Sequence, residues 1–180
     1  MPSADELLYM LTPDRFGQGD NLAPEELHRL GDTLIGLGAA VGAVKLGKRG
    51  MYVRTAGQKR LAAMGAGRPA DLQAWADREM WFPIFKEDKF MGATGAGDSS
   101  IAAFLAALLR GLSLHEAGFF AAAVGACNVE APDSLGGIKS WDETMTRIKN
   151  GWQKVPFTLN AQGWKHDADG AWLGPANQGR

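Results

Sequence analysis

The sequence predicts a single α/β domain, and three observations predict it. Apolar residues return every three or four positions in several segments, while others are short β-branched runs bounded by glycine, and the two kinds alternate through the first half. The chain has 180 residues, 46% of them hydrophobic, which is enough material for one well-packed core. No internal repeat and no low-complexity linker divides it.

The elements follow in order. Ser3 stands three residues before Glu6, the spacing by which two side chains satisfy free amides at a helix start, so a helix is expected over residues 3–11. Pro24 opens a second helix in which Leu27, Leu30, Leu34 and Leu37 share one face, ending near Gly38. Residues 41–46 and 51–55 read as two strands joined by a tight turn at 47–50. Residues 56–90 are less regular, with a helical turn expected at 71–78 and aromatic residues Trp81, Phe82 and Phe85 around Pro83. From Gly95 a glycine-rich turn leads into an Ala/Leu-rich helix over 98–110, closed by Gly111. Ser113 caps a further helix to about Val129, and residues 141–148 read as another. The tail from Val155 shows no period and is expected to wrap over the domain as an irregular extension.

Composition narrows the function. Lys and Arg total 19 against 20 Asp and Glu, a net charge of −1, so no broad attraction to nucleic acid or to an anionic membrane is implied. The single cysteine, Cys127, excludes an intrachain disulfide and agrees with a reducing, cytoplasmic setting. His28, His115 and His166 lack metal-ligand spacing, and no apolar run is long enough to span a bilayer.

The chemistry concentrates at Thr94-Gly95-Ala96-Gly97-Asp98. Small residues at a helix start leave several amide N–H groups free, and with the positive end of the helix dipole they form an anion site. Asp98 places a carboxylate beside that site, able to accept a proton from a hydroxyl while the amides stabilise a transferring phosphoryl group. Asp is equally at home as a helix-cap residue, and Gly-Ala-Gly can serve close packing alone. A dinucleotide-binding reading fails because residues 98–100 supply no third glycine.

The run from Thr94 to Gly111 resembles the second signature of the PfkB carbohydrate kinases, a ribokinase-like family. Val44-Lys45-Leu46-Gly47-Lys48-Arg49-Gly50 resembles that family's nucleotide-side strand and Leu-Gly-x-x-Gly loop. His115 to Val124 resembles the helix closing the adenine pocket, and Ser3-Ala4-Asp5-Glu6 resembles its Asn-x-x-Glu element. The resemblance implies a ribokinase-like three-layer α/β/α sandwich, present as its C-terminal half only, with the lid and N-terminal strands absent. It implies a partial nucleotide-binding and catalytic domain over residues 1–150 and an irregular C-terminal extension over 151–180.

On this resemblance Asp98 is the catalytic base and Gly95, Ala96 and Gly97 form the anion hole. Lys45, Leu46, Gly47, Gly50, Thr94 and Ala122 border the nucleotide, and Glu6 helps organise Mg2+ indirectly, through water. Glu6 is equally an ordinary capping-box residue. The implied reaction is ATP-dependent, Mg2+-assisted phosphorylation of a hydroxyl on a sugar or sugar-like small molecule. Gly92 and Ala93 stand where the family has Asp-Thr, which removes a carboxylate and puts monovalent-cation activation in doubt. Ser3 replaces the usual Asn.

The family's first half holds most of the sugar-binding residues and supplies the first strands of a parallel sheet. A sheet lacking them exposes an unpaired edge and an apolar face. Self-association as a homo-oligomer, or pairing with a complementing chain, is therefore expected. The alternative to a kinase is a noncatalytic fragment that binds nucleotide or pairs with another subunit.

Overall fold

A computed structural model describes residues 1–177 and places a five-stranded sheet between two helical layers. The chain runs α1 (Ala4–Leu11), α2 (Pro24–Gly36), β1 (Val41–Lys45), β2 (Met51–Thr55), α3 (Gln58–Ala62), α4 (Leu72–Trp75), β3 (Glu79–Phe82), α5 (Ala96–Leu109), α6 (Leu114–Asn128), α7 (Trp141–Lys149), β4 (Lys165–His166) and β5 (Trp172–Leu173). The caps expected for α1 and α6 form as reciprocal pairs: Ser3 with Glu6, and Ser113 with Glu116.

Strand alternation builds the layers. Ala43, Met51, Val53, Met80 and Phe82 point to one face and join α5 and α6 in the main core. Val44, Tyr52 and Trp81, the residues between them, point to the other face and pack with Leu7 and Leu8 of α1 and Leu27 of α2. The three strands β1, β2 and β3 are short and largely buried on both sides, so their residues show no polar alternation.

The sheet order is β1-β2-β3-β5-β4, and every neighbouring pair is antiparallel. This corrects the expectation of a parallel sheet. The turn over residues 47–50 is too short for a crossover, so β2 must return beside β1 in the opposite sense. Among the described residues a parallel element survives only at the outer edge of β1, where Ser3 bridges Lys45 and the Lys45 N–H donates to Pro2 O at 2.9 Å.

The tail is more regular than expected. β4 and β5 form a short hairpin whose second strand pairs with β3, and Phe157 and Trp164 pack on Trp81. Two-residue strands carry too little period to be seen in sequence. The last three residues of the 151–180 extension, 178–180, lie outside the described residues.

Glu79 ties this tail down. Fully buried, it accepts hydrogen bonds from the Tyr52 hydroxyl at 2.8 Å and the Ala176 N–H at 3.0 Å, and pairs with His28 Nδ1 at 3.0 Å. Burial, reinforced by the Glu79 carboxylate, pushes the Tyr52 phenol pKa up.

α5 and α6 lie close because small residues face each other: a side chain on Gly125 would meet Ser100 Oγ. Gly118 backs directly onto the Phe82 ring in the same way, and that ring is fully buried. Gly118→Ala should therefore destabilise the fold by about 1–3 kcal/mol through overpacking, outweighing the gain of roughly 1 kcal/mol in helix propensity. Urea denaturation of the variant against the unsubstituted chain measures this.

Candidate active site

α5 starts where it does because Gly95 turns the chain. Its φ of +79° lies in the left-handed region, which glycine adopts without the penalty of a Cβ. Ser134 occupies the space that a side chain there would take: its carbonyl oxygen and Cβ are 2.7 and 2.8 Å from the position of a Gly95 Cβ.

The turn sorts the amides. The Ala96 N–H donates to Ala93 O at 3.2 Å and the Ser99 N–H to Gly95 O at 2.8 Å. Between them, the amides of Gly97 and Asp98 donate to no backbone carbonyl among the described residues. Two unused donors at the positive end of a 14-residue helix make a seat for an anion. Of the expected anion-hole residues, Gly97 offers its amide, Ala96 has its own engaged, and Gly95 supplies the turn.

Lys45 reaches the same place from the sheet. As the last residue of β1, it lays Cδ and Nζ at 3.1 and 3.3 Å from where a Gly97 Cβ would be. An ammonium held beside the positive end of a helix is an arrangement that a bound anion relieves. Its Nζ also lies 4.0 Å from Glu6 Oε2. Asp98 itself is exposed, and its carboxylate makes no hydrogen bond or ion pair among the described residues.

Glu6 Oε2 accepts the Ser3 N–H at 2.6 Å, so the capping role is realised. The Ser3 amide first, then the Ser3 hydroxyl and Lys45, hold the Glu6 carboxyl below the usual carboxylate range. Among the described residues no group of three or more His, Cys, Asp or Glu side chains is arranged to hold a metal ion. A divalent ion here would arrive bound to the phosphates it accompanies.

The remaining candidates divide. Leu46 is buried and Gly47 exposed, and Gly47 and Gly50 hold the turn after β1 with φ of +55° and +85°. Gly50 backs onto the Phe82 carbonyl with no room for a Cβ. Thr94 is exposed just ahead of the α5 turn. Ala122 is only 8% exposed and packs in the main core, so it is not brought to the surface of the site. Arg49 is held by the carbonyls of Asp20 and Leu22 at 3.0 and 2.7 Å and stacks on Trp81, which fixes it as a structural residue.

Sequence reasoning missed the loop that backs the turn. Asn128, the last residue of α6, donates from Nδ2 to Ser134 O at 2.6 Å, and Ser134 in turn packs on Gly95. The available signal was a polar residue ending the small and apolar run of residues 117–127, followed by the turn-rich run 132–137. A separate concavity of about 590 Å³ is lined by residues of α7 and by Asn150, Gly151 and Trp152, none of them among the candidates. Its Arg147 is already paired with Glu130 and Asp88.

Comparison with known proteins bears on this geometry. The family model described as the pfkB family carbohydrate kinase matches residues 2–140. A nucleoside kinase of Methanocaldococcus jannaschii is 34% identical over 73 residues, covering 41% of this chain and 24% of that protein. Among solved structures, the M. jannaschii nucleoside kinase superposes with a TM-score of 0.53 at 24% identity, over 71% of this chain and 38% of that one. Ribokinase from Thermotoga maritima gives 0.57 at 23% identity, over 82% and 39%. Arabidopsis thaliana ribokinase, solved with ribose and ATP, gives 0.55 at 22% identity, over 71% and 35%. At such identities the solved structures establish a shared fold, and the chain spans less than half the length of each of these proteins.

The convergence of Lys45 on Gly97 has a measurable consequence. Lys45→Met should weaken binding of inorganic tripolyphosphate about tenfold at low ionic strength, the cost of one charge-assisted contact. Titration calorimetry reads the change, and unchanged affinity would place the anion elsewhere.

Proposed function

The chain belongs to the pfkB family of carbohydrate kinases, and from that premise we propose that it carries the nucleotide side of an ATP-dependent phosphotransferase. The acceptor is a hydroxyl of a sugar or sugar-like small molecule. The nucleoside kinase and ribokinases similar to this chain support that substrate class. The observation that carries the reading is the pair of undirected amides, Gly97 and Asp98, beside the Lys45 ammonium.

In this reading the γ-phosphate of ATP rests on the Gly97 and Asp98 amides, with Lys45 offsetting its charge. Magnesium, when bound to the nucleotide, would supply charge neutralisation to its phosphates. Leu46, Gly47, Gly50 and Thr94 border the nucleotide. The Asp98 carboxylate accepts the proton of the acceptor hydroxyl as its oxygen bonds to the γ-phosphorus. The bond from that phosphorus to the β-phosphate oxygen breaks, and ADP leaves. Glu6 steadies Lys45 before phosphate arrives. Gly92, in place of a carboxylate, leaves a monovalent cation without that ligand. No helix among the described residues is long and apolar enough to cross a membrane, and a cytoplasmic setting accords with this chemistry.

A second reading has its own observation. Beyond the Ser3 bridge, the outer edge of β1 has no strand beside it among the described residues. Leu105 and Leu109 on α5 are 48% and 66% exposed. An open edge and an apolar helix face suit a chain that holds nucleotide and pairs with another subunit, which supplies the acceptor pocket.

Asp98→Asn should lower phosphotransfer by about 10²–10⁴-fold, the range for loss of a general base, with affinity for magnesium-ATP within about twofold. A coupled ADP-release assay on a panel of sugars and nucleosides, run with titration calorimetry, tests this. Undiminished turnover would remove Asp98 from the chemistry, and nucleotide binding without transfer by the unsubstituted chain favours the second reading.

A further inference from the structure

We propose that Asn128 is a positioning residue of the phosphate site, acting through Ser134 and Gly95 and not by touching the ligand. The proposal rests on the anion-binding reading of the α5 turn.

Asn128 is fully buried at the end of α6. Its Nδ2 donates to Ser134 O at 2.6 Å, while its Oδ1 has no hydrogen-bond partner among the described residues. A buried amide with one end unsatisfied is a poor core residue, since an apolar side chain of similar volume would leave no orphan acceptor. It is a good tether. The amide holds one particular carbonyl in one particular place, which an apolar side chain would not do.

The tethered loop is compact enough to transmit that placement. Asp133 Oδ1 accepts the N–H groups of Leu135 and Gly136 at 2.9 and 2.6 Å, closing a tight turn around Ser134. The loop then folds back on α6, and a side chain on Gly137 would meet Asn128 O at 2.6 Å. Both flanks of Ser134 are thereby fixed to the end of α6.

What the loop supports is the Gly95 turn. Ser134 O and Cβ fill the space beside Gly95 Cα, on the side where other residues carry Cβ. With Ser134 held, the positive φ of Gly95 has packing on its open side, and the Gly97 and Asp98 amides keep a single orientation. Without the Nδ2 bond Ser134 is free to withdraw, and the amides lose the preorganisation that makes them effective toward an anion.

The test separates phosphate recognition from stability. Binding of magnesium-ATP and of adenosine to the 180-residue chain is measured by calorimetry for the unsubstituted protein, Asn128→Ala and Ser134→Gly, with melting curves alongside. Asn128→Ala should bind ATP about tenfold more weakly, with adenosine affinity changed by less than about twofold. Ser134→Gly should move in the same direction. Equal losses for the two ligands, or no loss for either, would overturn the assignment. Should Asn128→Ala not fold, Ser134→Gly decides, because Ser134 is exposed and its substitution spares the core. If the unsubstituted chain binds ATP no more tightly than adenosine, the anion-site reading itself fails, which is a different result from a retained preference in the variants.

Discussion

The left-handed turn at Gly95 is the constraint on which the site depends. A residue with a Cβ would be strained at a φ of +79° and would collide with Ser134. Because the turn forms, Ala96 and Ser99 direct their amides back into the chain while Gly97 and Asp98 do not. The helix dipole, the Lys45 ammonium and the Asp98 carboxylate are then gathered at one end of α5. Each group is ordinary alone, and all are held together by a rigid element.

The surrounding fold keeps that element still. α5 rests against α6 through Ser100 and Gly125, and α6 rests against the sheet through Gly118 and Phe82. Small residues at these contacts let the helices approach closely, so the position of α5 relative to β1 is set by backbone more than by long side chains. Lys45 therefore arrives at Gly97 from a strand whose register is fixed by β2 on one side and by the Pro2–Ser3 contact on the other. Among the described residues the rest of that strand's outer edge has no strand beside it.

Much of this was legible in the sequence. The helix caps at Ser3 and Ser113, the strand-turn-strand over 41–55 and the helix after Gly95 all carry short-range signals that tertiary contacts do not override. β3 was not legible, because Glu79, Met80, Trp81 and Phe82 are buried on both faces and show no alternation. The hairpin of β4 and β5 was too short to register. At the site, the residues with chemical character, Lys45, Asp98 and the glycines, stood out by motif. Asn128 and Ser134 did not, since their part in the site depends on a contact between the end of α6 and the start of α5. Ala122 illustrates the converse: the family resemblance singled it out on α6 but said nothing of how deeply that position is buried.

Amide chemical shifts test phosphate binding at the N-terminal turn of α5 most directly. On titration of an isotopically labelled chain with magnesium-ATP, the Gly97 and Asp98 amides should show the largest downfield movement, as donors newly bonded to an anion do. Adenosine should leave them nearly unmoved. Perturbations centred on α7 and Trp152, with Gly97 and Asp98 unchanged, would contradict the account.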